Sequence, residues 1–461
     1  MAQPTEKIRP SSQAEKGPIG YSADTIVAQA TPPGRGGVAV LRISGPQALP
    51  IAQRLSKTPL SGSQRHAQLV EIVSAKEEQL LDKALITYYK APASFTGEDV
   101  VEISTHGGHV TPARIIRTIT ELGARLAGPG EFSLRAFLNG KMNLAEAEAL
   151  NQMISSLSRR SQAAATENLT GRLTREIEAV RDSLIELLTI IEHELDFSED
   201  EIDLTSTQEM SRALNTAIAR LQHLQDTAPY GRIIRDGVRV ILAGPPNAGK
   251  SSLFNALIGH ERAIVTDIPG TTRDSLEAWI DVDGFPVCLV DTAGLCEGGN
   301  TIEQISITRS RQQLARADIV LVLDPDNPEA VKLEPETGGK TVMHIKSKAD
   351  ESAISGRKDI ITSSIMREDG LDNLIEHLKA ALHSYIPQHE GAIIASERQL
   401  HGLTAAVKYL EGVKEQLQAG QPIDILSGEI RLAVNSLAEI IGETTSEEVI
   451  QRIFSEFCVG K

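Results

Sequence analysis

Ile241-Leu242-Ala243-Gly244-Pro245-Pro246-Asn247-Ala248-Gly249-Lys250-Ser251-Ser252-Leu253-Phe254-Asn255-Ala256-Leu257 is the stretch whose reading decides this chain. An apolar run enters Gly-x-x-x-x-Gly-Lys-Ser and continues into a helical pattern, the context that turns a glycine motif into a phosphate site. The glycines let the backbone N–H groups of Asn247, Ala248 and Gly249 curl around a polyphosphate. Lys250 reaches the outer phosphates, and Ser251, followed by Ser252, opens the helix and can hold Mg²⁺. This is a P-loop in an α/β, doubly wound setting.

Two further segments support nucleotide chemistry. Asp291-Thr292-Ala293-Gly294 follows the apolar run 286–290, so Asp291 can hold the water shell of Mg²⁺ while the N–H of Gly294 senses a γ-phosphate. Between it and the P-loop lies Gly270-Thr271-Thr272-Arg273-Asp274, placed for a switch loop whose Thr hydroxyl completes the Mg²⁺ shell. The base is read by Ser347-Lys348-Ala349-Asp350, because the Asp350 carboxylate accepts two hydrogen bonds from guanine and meets no donor pair on adenine. GTP is therefore favoured, with GDP as product. Ser347 stands where such GTPases carry an Asn that ties this loop to the P-loop, a loss of about 1 kcal/mol. The segment Ile361-Thr362-Ser363-Ser364 is placed to supply a last base contact.

Leu295 occupies the position where Ras-like enzymes place a Gln to orient the attacking water, and Leu cannot hydrogen-bond. Glu297 and Glu303 both remain candidates for that role. The Asn247 side-chain oxygen can coordinate a monovalent cation against the phosphates, supplying charge that an arginine finger would otherwise provide.

The surrounding chain bounds the rest. Its 461 residues suggest about three domains at ~150 residues each. A net charge of −16 argues against a protein that is basic throughout and wraps nucleic acid by bulk attraction. The three cysteines have no metal-ligand spacing, which suits a reducing cytoplasm. No apolar run approaches a membrane span. Residues 1–21 read as a loose tail, and 22–140 as an α+β domain with strands over 25–30, 38–43, 84–89 and 99–104 and one helix over 112–122. From 141 to 228 there is no proline and only Gly171, and apolar residues recur at helical spacing, as in Ile177, Val180, Leu184, Leu187, Leu188 and Ile191. Pro229-Tyr230-Gly231 is expected to end that run. Residues 236–387 alternate in a βα rhythm, and helices resume over 388–461, so the nucleotide domain reads as an insert in an all-α domain with halves 141–235 and 388–461.

The residues together resemble one family, the MnmE/TrmE tRNA-modification GTPases. The resemblance runs from Asp24-Thr25-Ile26-Val27-Ala28-Gln29-Ala30 through Ser94-Phe95-Thr96-Gly97-Glu98-Asp99 and Pro129-Gly130-Glu131-Phe132-Ser133-Leu134-Arg135-Ala136-Phe137-Leu138-Asn139-Gly140-Lys141. It continues in Ala263-Ile264-Val265-Thr266-Asp267-Ile268-Pro269-Gly270 and ends in Phe457-Cys458-Val459-Gly460-Lys461. It implies an N-terminal tetrahydrofolate-binding and dimerising domain, a helical domain and an inserted Ras-like P-loop GTPase domain. It also implies a cytoplasmic homodimer that joins an FAD- and NADH-using MnmG/GidA-type partner in a heterotetramer. Together these install a carboxymethylaminomethyl or aminomethyl group on the wobble uridine of certain tRNAs, using a tetrahydrofolate one-carbon unit.

Matched residue by residue, the resemblance puts folate contacts on Arg42, Glu102, Lys141 and Lys461. It puts K⁺ ligands on Asn247, Thr266, Ile268 and Thr271, Mg²⁺ on Ser251 and Thr272, and nucleotide contacts on residues 266–272, Asp267 and Pro269 included. The water-orienting role falls on Glu303, beside Lys250 in the catalytic set. Cys458 is a candidate nucleophile in the tail or a packed tail residue. Other readings are a ribosome-assembly or other RNA-binding regulatory GTPase, and a folate-dependent aminomethyltransferase with no tRNA substrate. The former calls for a basic RNA-binding module, which this acidic chain does not advertise.

Overall fold

The computed structural model describes residues 24–74, 79–197, 204–264, 276–291, 313–331, 340–348, 360–364, 366–367, 370–384 and 391–461. The chain forms two compact units. One takes the described residues up to Ala147 together with Gly442–Lys461, and the other is Glu148–Ile441.

The first unit is built on strands β1 (Ile26–Gln29), β2 (Val38–Ser44), β3 (Ala67–Val73), β4 (Leu80–Tyr89), β5 (Val100–His106) and β6 (Arg125–Leu126). They lie in the order β3-β4-β5-β2-β1-β6, antiparallel except for the β1/β6 pair. Strand alternation sets the faces: Leu41, Ile43, Val101 and Ile103 are buried, while Arg42 and Glu102, paired across β2 and β5, point to the other side. The buried face is covered by α1 (Ala48–Leu55) through Ile51 and Leu55, and by α2 (Thr111–Glu121) through Ile115 and Ile119. A third helix, α3 (Glu131–Leu138), follows. The expectation of one helix here is corrected to three among the described residues. Both α1 and α3 are eight residues long, too short for their periodicity to stand out from the surrounding strands.

Helix α4 (Leu144–Ser155) leads into the second unit, where α5 (Arg159–Leu169), α6 (Arg172–Phe197) and α7 (Leu204–Asp226) follow. Ile177, Val180, Leu184, Leu187, Leu188 and Ile191 of α6 are buried as their spacing requires. Pro229 does not end the helical run. It lies in the first turn of α8 (Ala228–Asp236), where a missing N–H has no intrahelical partner to lose.

The nucleotide-type sheet contains β7 (Val238–Ala243), β8 (Arg262–Ile264), β9 (Leu276–Val282), β10 (Phe285–Asp291), β11 (Ile319–Asp324), β12 (Thr341–Lys346) and β13 (Ile361–Thr362). Its order is β13-β12-β11-β7-β10-β9-β8. β7 and β10 to β13 are parallel, and β9 runs antiparallel to both its neighbours. Every residue of β10 is buried, as expected of a strand covered on both faces. Helix α9 (Lys250–His260) follows β7, and α10 (Asp372–Ser384) follows β13.

Then come α11 (Glu397–Gln418) and α12 (Ile423–Ile441), which stay in this unit. The last helix, α13 (Glu447–Ser455), lies in the first unit, where Ile450, Phe454 and Phe457 pack on Leu144 and Ala147. The segment expected as one helical half, 388–461, is thus shared between the two units. Among the described residues no helix is long and apolar enough to cross a membrane.

Candidate functional site

The glycine loop leaves the C-terminal end of β7 at the centre of the sheet, where open α/β sheets place their ligands. Gly244 has φ +148°, and a Cβ there would sit 2.2 Å from the Leu323 carbonyl oxygen of β11, so no side chain fits. Asn247 (φ +64°) and Gly249 (φ +90°) are left-handed, which turns successive N–H groups toward one point. Among non-glycine residues Asn tolerates this conformation best.

Lys250 is only 7% exposed, and its Nζ donates to the carbonyls of Gly244 and Pro245, each at 2.9 Å. The ammonium is thus held within the loop, where an entering phosphate would meet it. Among the described residues no side chain caps the start of α9, whose first N–H groups are thus available to an anion. Ser251 and Ser252 are exposed there, and Ala248 is buried.

Asp291 closes β10 fully buried, opposite Leu242 of β7. On the other side of β7, Ser347 follows β12, donates its N–H to the Asp324 carbonyl at 3.2 Å, and leads into Lys348 at φ +53°. A Cβ built on Gly249 would lie 4.0 Å from the Ser347 Cβ. The Ser347 hydroxyl nevertheless has no hydrogen-bond partner among the described residues. The P-loop, Asp291 and Ser347-Lys348 therefore meet at one sheet edge. Thr266, Asp267, Ile268, Pro269, Gly270, Thr271, Thr272, Thr292, Ala293, Gly294, Leu295, Glu297, Glu303 and Asp350 lie outside the described residues.

In the first unit Arg42 and Glu102 do not stand free to meet a ligand separately. Arg42 Nε and Nη2 donate to Glu102 Oε1 at 3.0 and 2.8 Å. The Arg42 guanidinium lies 5.1 Å from the Phe95 ring centroid and 5.7 Å from that of Phe132, both within cation–π range. Burial, with the Glu102 carboxylate beside it, pushes the Tyr89 hydroxyl above its ordinary range and keeps it a donor. Lys141 is exposed, its stem against Gly97, where an added Cβ would meet Lys141 Cγ at 3.3 Å.

The tail runs along the start of α3. Gly130 N donates to the Cys458 carbonyl at 3.3 Å and Phe132 N to the Lys461 carbonyl at 3.1 Å, and Val459 bridges Pro129. These carbonyls occupy N–H groups that a helix start leaves unpaired. Gly460, at φ +95°, passes so close to Gln29 that a Cβ would stand 2.3 Å from its carbonyl oxygen. The Cys458 thiol is free and exposed. Arg42, Glu102, Lys141 and Lys461 are therefore linked through Phe95, Gly97 and Phe132 in one compact region.

Sequence reasoning did not single out Arg135, the largest fully buried side chain among the described residues. Its one local signal is Glu131 a helical turn earlier.

Two family models match: the MnmE helical domain over residues 144–458 and the GTP-binding protein TrmE N-terminus over residues 25–141. The chain is 41% identical over 456 residues to the tRNA modification GTPase MnmE of Photobacterium profundum, covering 95% of this chain and 99% of that protein. It is 40% identical over 458 residues to the tRNA modification GTPase MnmE of Proteus mirabilis, covering 96% and 100%. Of solved structures, the G domain of the T. maritima FeoB iron transporter is 27% identical and covers 32% of this chain and 98% of that one, at a TM-score of 0.24. With near-complete coverage at this identity, on a chain whose P-loop and N-terminal sheet are both in place, the chain belongs to the MnmE family of tRNA modification GTPases.

Proposed function

We propose that this chain hydrolyses GTP to GDP and phosphate as part of modifying the wobble uridine of tRNA. The observation that carries this is the P-loop of a family member, with Lys250 held by loop carbonyls and Asp291 buried on the neighbouring strand. Lys250 and the N–H groups of residues 247–249 would hold the phosphates, and Ser251 with Thr272 and the Asp291 carboxylate would hold Mg²⁺ and its waters. Asn247, in its left-handed turn, would present a side-chain oxygen to K⁺, with Thr266, Ile268 and Thr271 completing the set. Glu303 would orient the water that attacks the γ-phosphorus as the bond to GDP breaks, and Asp350 with Lys348 would read guanine. The GTPase domain is residues 236–387.

Residues 22–140 would bind a tetrahydrofolate one-carbon derivative. The residues present suit it on condition that Arg42 and Glu102 act as a pair: Arg42 and Tyr89 orient the Glu102 carboxylate for pterin N–H donors, and Lys141 and Lys461 supply cations for folate carboxylates. Val38, Leu69 and Leu85, exposed by 62%, 65% and 44% on the strands of this sheet, support pairing with a second copy of the chain. An FAD- and NADH-using MnmG-type partner would complete the reaction in the cytoplasm.

The deciding experiment measures wobble-uridine nucleosides by mass spectrometry in tRNA from a strain lacking the gene, with and without the restored gene. Unaltered modification in the deletion strain would refute the reading. Glu303→Ala should lower GTP turnover by roughly 10²-fold with nucleotide affinity kept, and Asp350→Asn should shift preference toward xanthosine triphosphate.

A further inference from the structure

Arg135 is 1% exposed, in a helix whose neighbouring positions are apolar. Its Nη1 donates to the Asp24 carbonyl at 2.7 Å and to Glu98 Oε2 at 3.1 Å, and its Nη2 to Asp24 Oδ1 at 2.7 Å and Glu131 Oε1 at 3.0 Å. Arg125 closes the cluster with bonds to Asp24 and Glu131. One guanidinium thus joins the entry to β1, the loop before β5 and the first turn of α3.

Two of those carboxylates lead onward. Glu98 accepts from Ser44 Oγ at 2.7 Å, Ser44 Oγ lies 2.7 Å from Thr96 Oγ1, and Thr96 Oγ1 accepts the Glu98 N–H at 3.2 Å. Asn139 holds the Thr96 carbonyl at 2.7 Å. That fixes the loop carrying Phe95, under the Arg42 guanidinium, and Gly97, against Lys141. Glu131 accepts the Gly128 N–H at 2.8 Å, shaping the turn whose Gly130 and Phe132 N–H groups hold the tail.

We propose that Arg135 is a positioning residue that couples the docked tail of residues 458–461 to the folate cradle by holding the 95–98 loop and the start of α3 in one arrangement. The assignment rests on the reading of this region as a folate site. Only a fork can make this junction, because guanidinium presents parallel N–H donors to three carboxylates and a carbonyl at once, whereas an ammonium is a point charge. Arg135→Lys therefore keeps the charge and removes the geometry, which separates positioning from charge burial.

The test uses the full chain and reads amide hydrogen exchange together with calorimetric affinity for tetrahydrofolate. In Arg135→Lys, exchange at Gly130, Phe132 and Glu98 should rise about ten-fold or more while β5 amides stay as in the wild type, and tetrahydrofolate affinity should fall about ten-fold. Deleting residues 458–461 should speed exchange at Glu98 in the wild type but add little in Arg135→Lys. A uniform rise that includes β5 would mean a purely structural role and overturn the proposal, as would unchanged exchange at Glu98 and Phe132 or additive effects of the two changes. A wild-type chain that binds no tetrahydrofolate would refute the folate reading alone, since the exchange pattern still decides the coupling.

Discussion

Ser347 offers a gain-of-affinity experiment. Its hydroxyl is buried beside the P-loop and makes no hydrogen bond among the described residues, while its Cβ faces Gly249. Ser347→Ala removes a hydroxyl that holds nothing among the described residues, and deleting such a group is close to neutral. Nucleotide affinity should therefore stay within about two-fold. Ser347→Asn extends an amide donor toward the P-loop backbone. One net hydrogen bond contributes about 1 kcal/mol, and at 1.4 kcal/mol per tenfold this tightens Kd about five-fold. The amide must fit a site only 6% exposed, so strain from overpacking is the opposing effect, and the neighbouring Lys348 turn sets how far the loop can give. Titration of a fluorescent GDP analogue with the three proteins at fixed Mg²⁺ measures both effects. A loss of five-fold or more in Ser347→Ala would show that the hydroxyl does tether the loop, and an affinity in Ser347→Asn no tighter than wild type would refute the argument.

Turnover should be faster in K⁺ than in Na⁺, and Asn247→Gly should abolish that difference; glycine keeps the left-handed turn at φ +64° and removes only the side-chain oxygen, so equal salt dependence in the mutant and wild type would refute the cation role. Gly460→Ala places a Cβ 2.3 Å from the Gln29 carbonyl at φ +95°, a strain of roughly 1–2 kcal/mol that rivals the few hydrogen bonds holding the tail. Exchange at Phe132 should rise about ten-fold with little change in Tm, and an unchanged rate would mean the tail docks otherwise. Burial raises the Asp24 and Glu131 carboxyls, but hydrogen bonds from Arg125, Arg135 and, for Glu131, Gly128 N–H outweigh it and leave both below their ordinary 3.8 and 4.5. Because the folded values are depressed, this stabilisation is complete above about pH 4.5 and is lost as pH falls through the folded values. Glu131→Gln should flatten the acid limb of Tm against pH below that point, and an identical limb in both proteins would exclude Glu131 as its source.

The P-loop could be read from sequence because its chemistry is contiguous. Strand, glycine turn, Lys250 and Ser251 are covalent neighbours, and the left-handed angles at Asn247 and Gly249 fall on residue types that tolerate them. The same holds for α6, where burial follows the helical period residue by residue. The short α1 and α3 lacked the length for such a signal, and Pro229 was open to two interpretations, since a proline can close one helix or open the next. The difference lies in the backbone just before it, which composition does not encode.

The N-terminal site was legible in a different way. Resemblance placed Arg42, Glu102, Lys141 and Lys461 in one set, but a set of ligand residues carries no information about which of them bind each other. Strand register supplies that: Arg42 and Glu102 are direct cross-strand partners of β2 and β5, so opposite charges there pair before any ligand arrives. Arg135 was hidden for the same reason at larger scale. Its partners Asp24 and Glu98 stand 111 and 37 positions away, and only the folded sheet brings them together with α3. A lone arginine between Leu134 and Ala136 on a short helix reads as a solvated charge until three carboxylates from three segments surround it. Tail docking depends on the same convergence, because the N–H groups of Gly130 and Phe132 become acceptor-seeking only once α3 begins at Gly130, whose φ of +62° admits the approach of the Phe454 carbonyl. The residues that bind are therefore readable one at a time, whereas the residues that hold them in place become visible only through the fold.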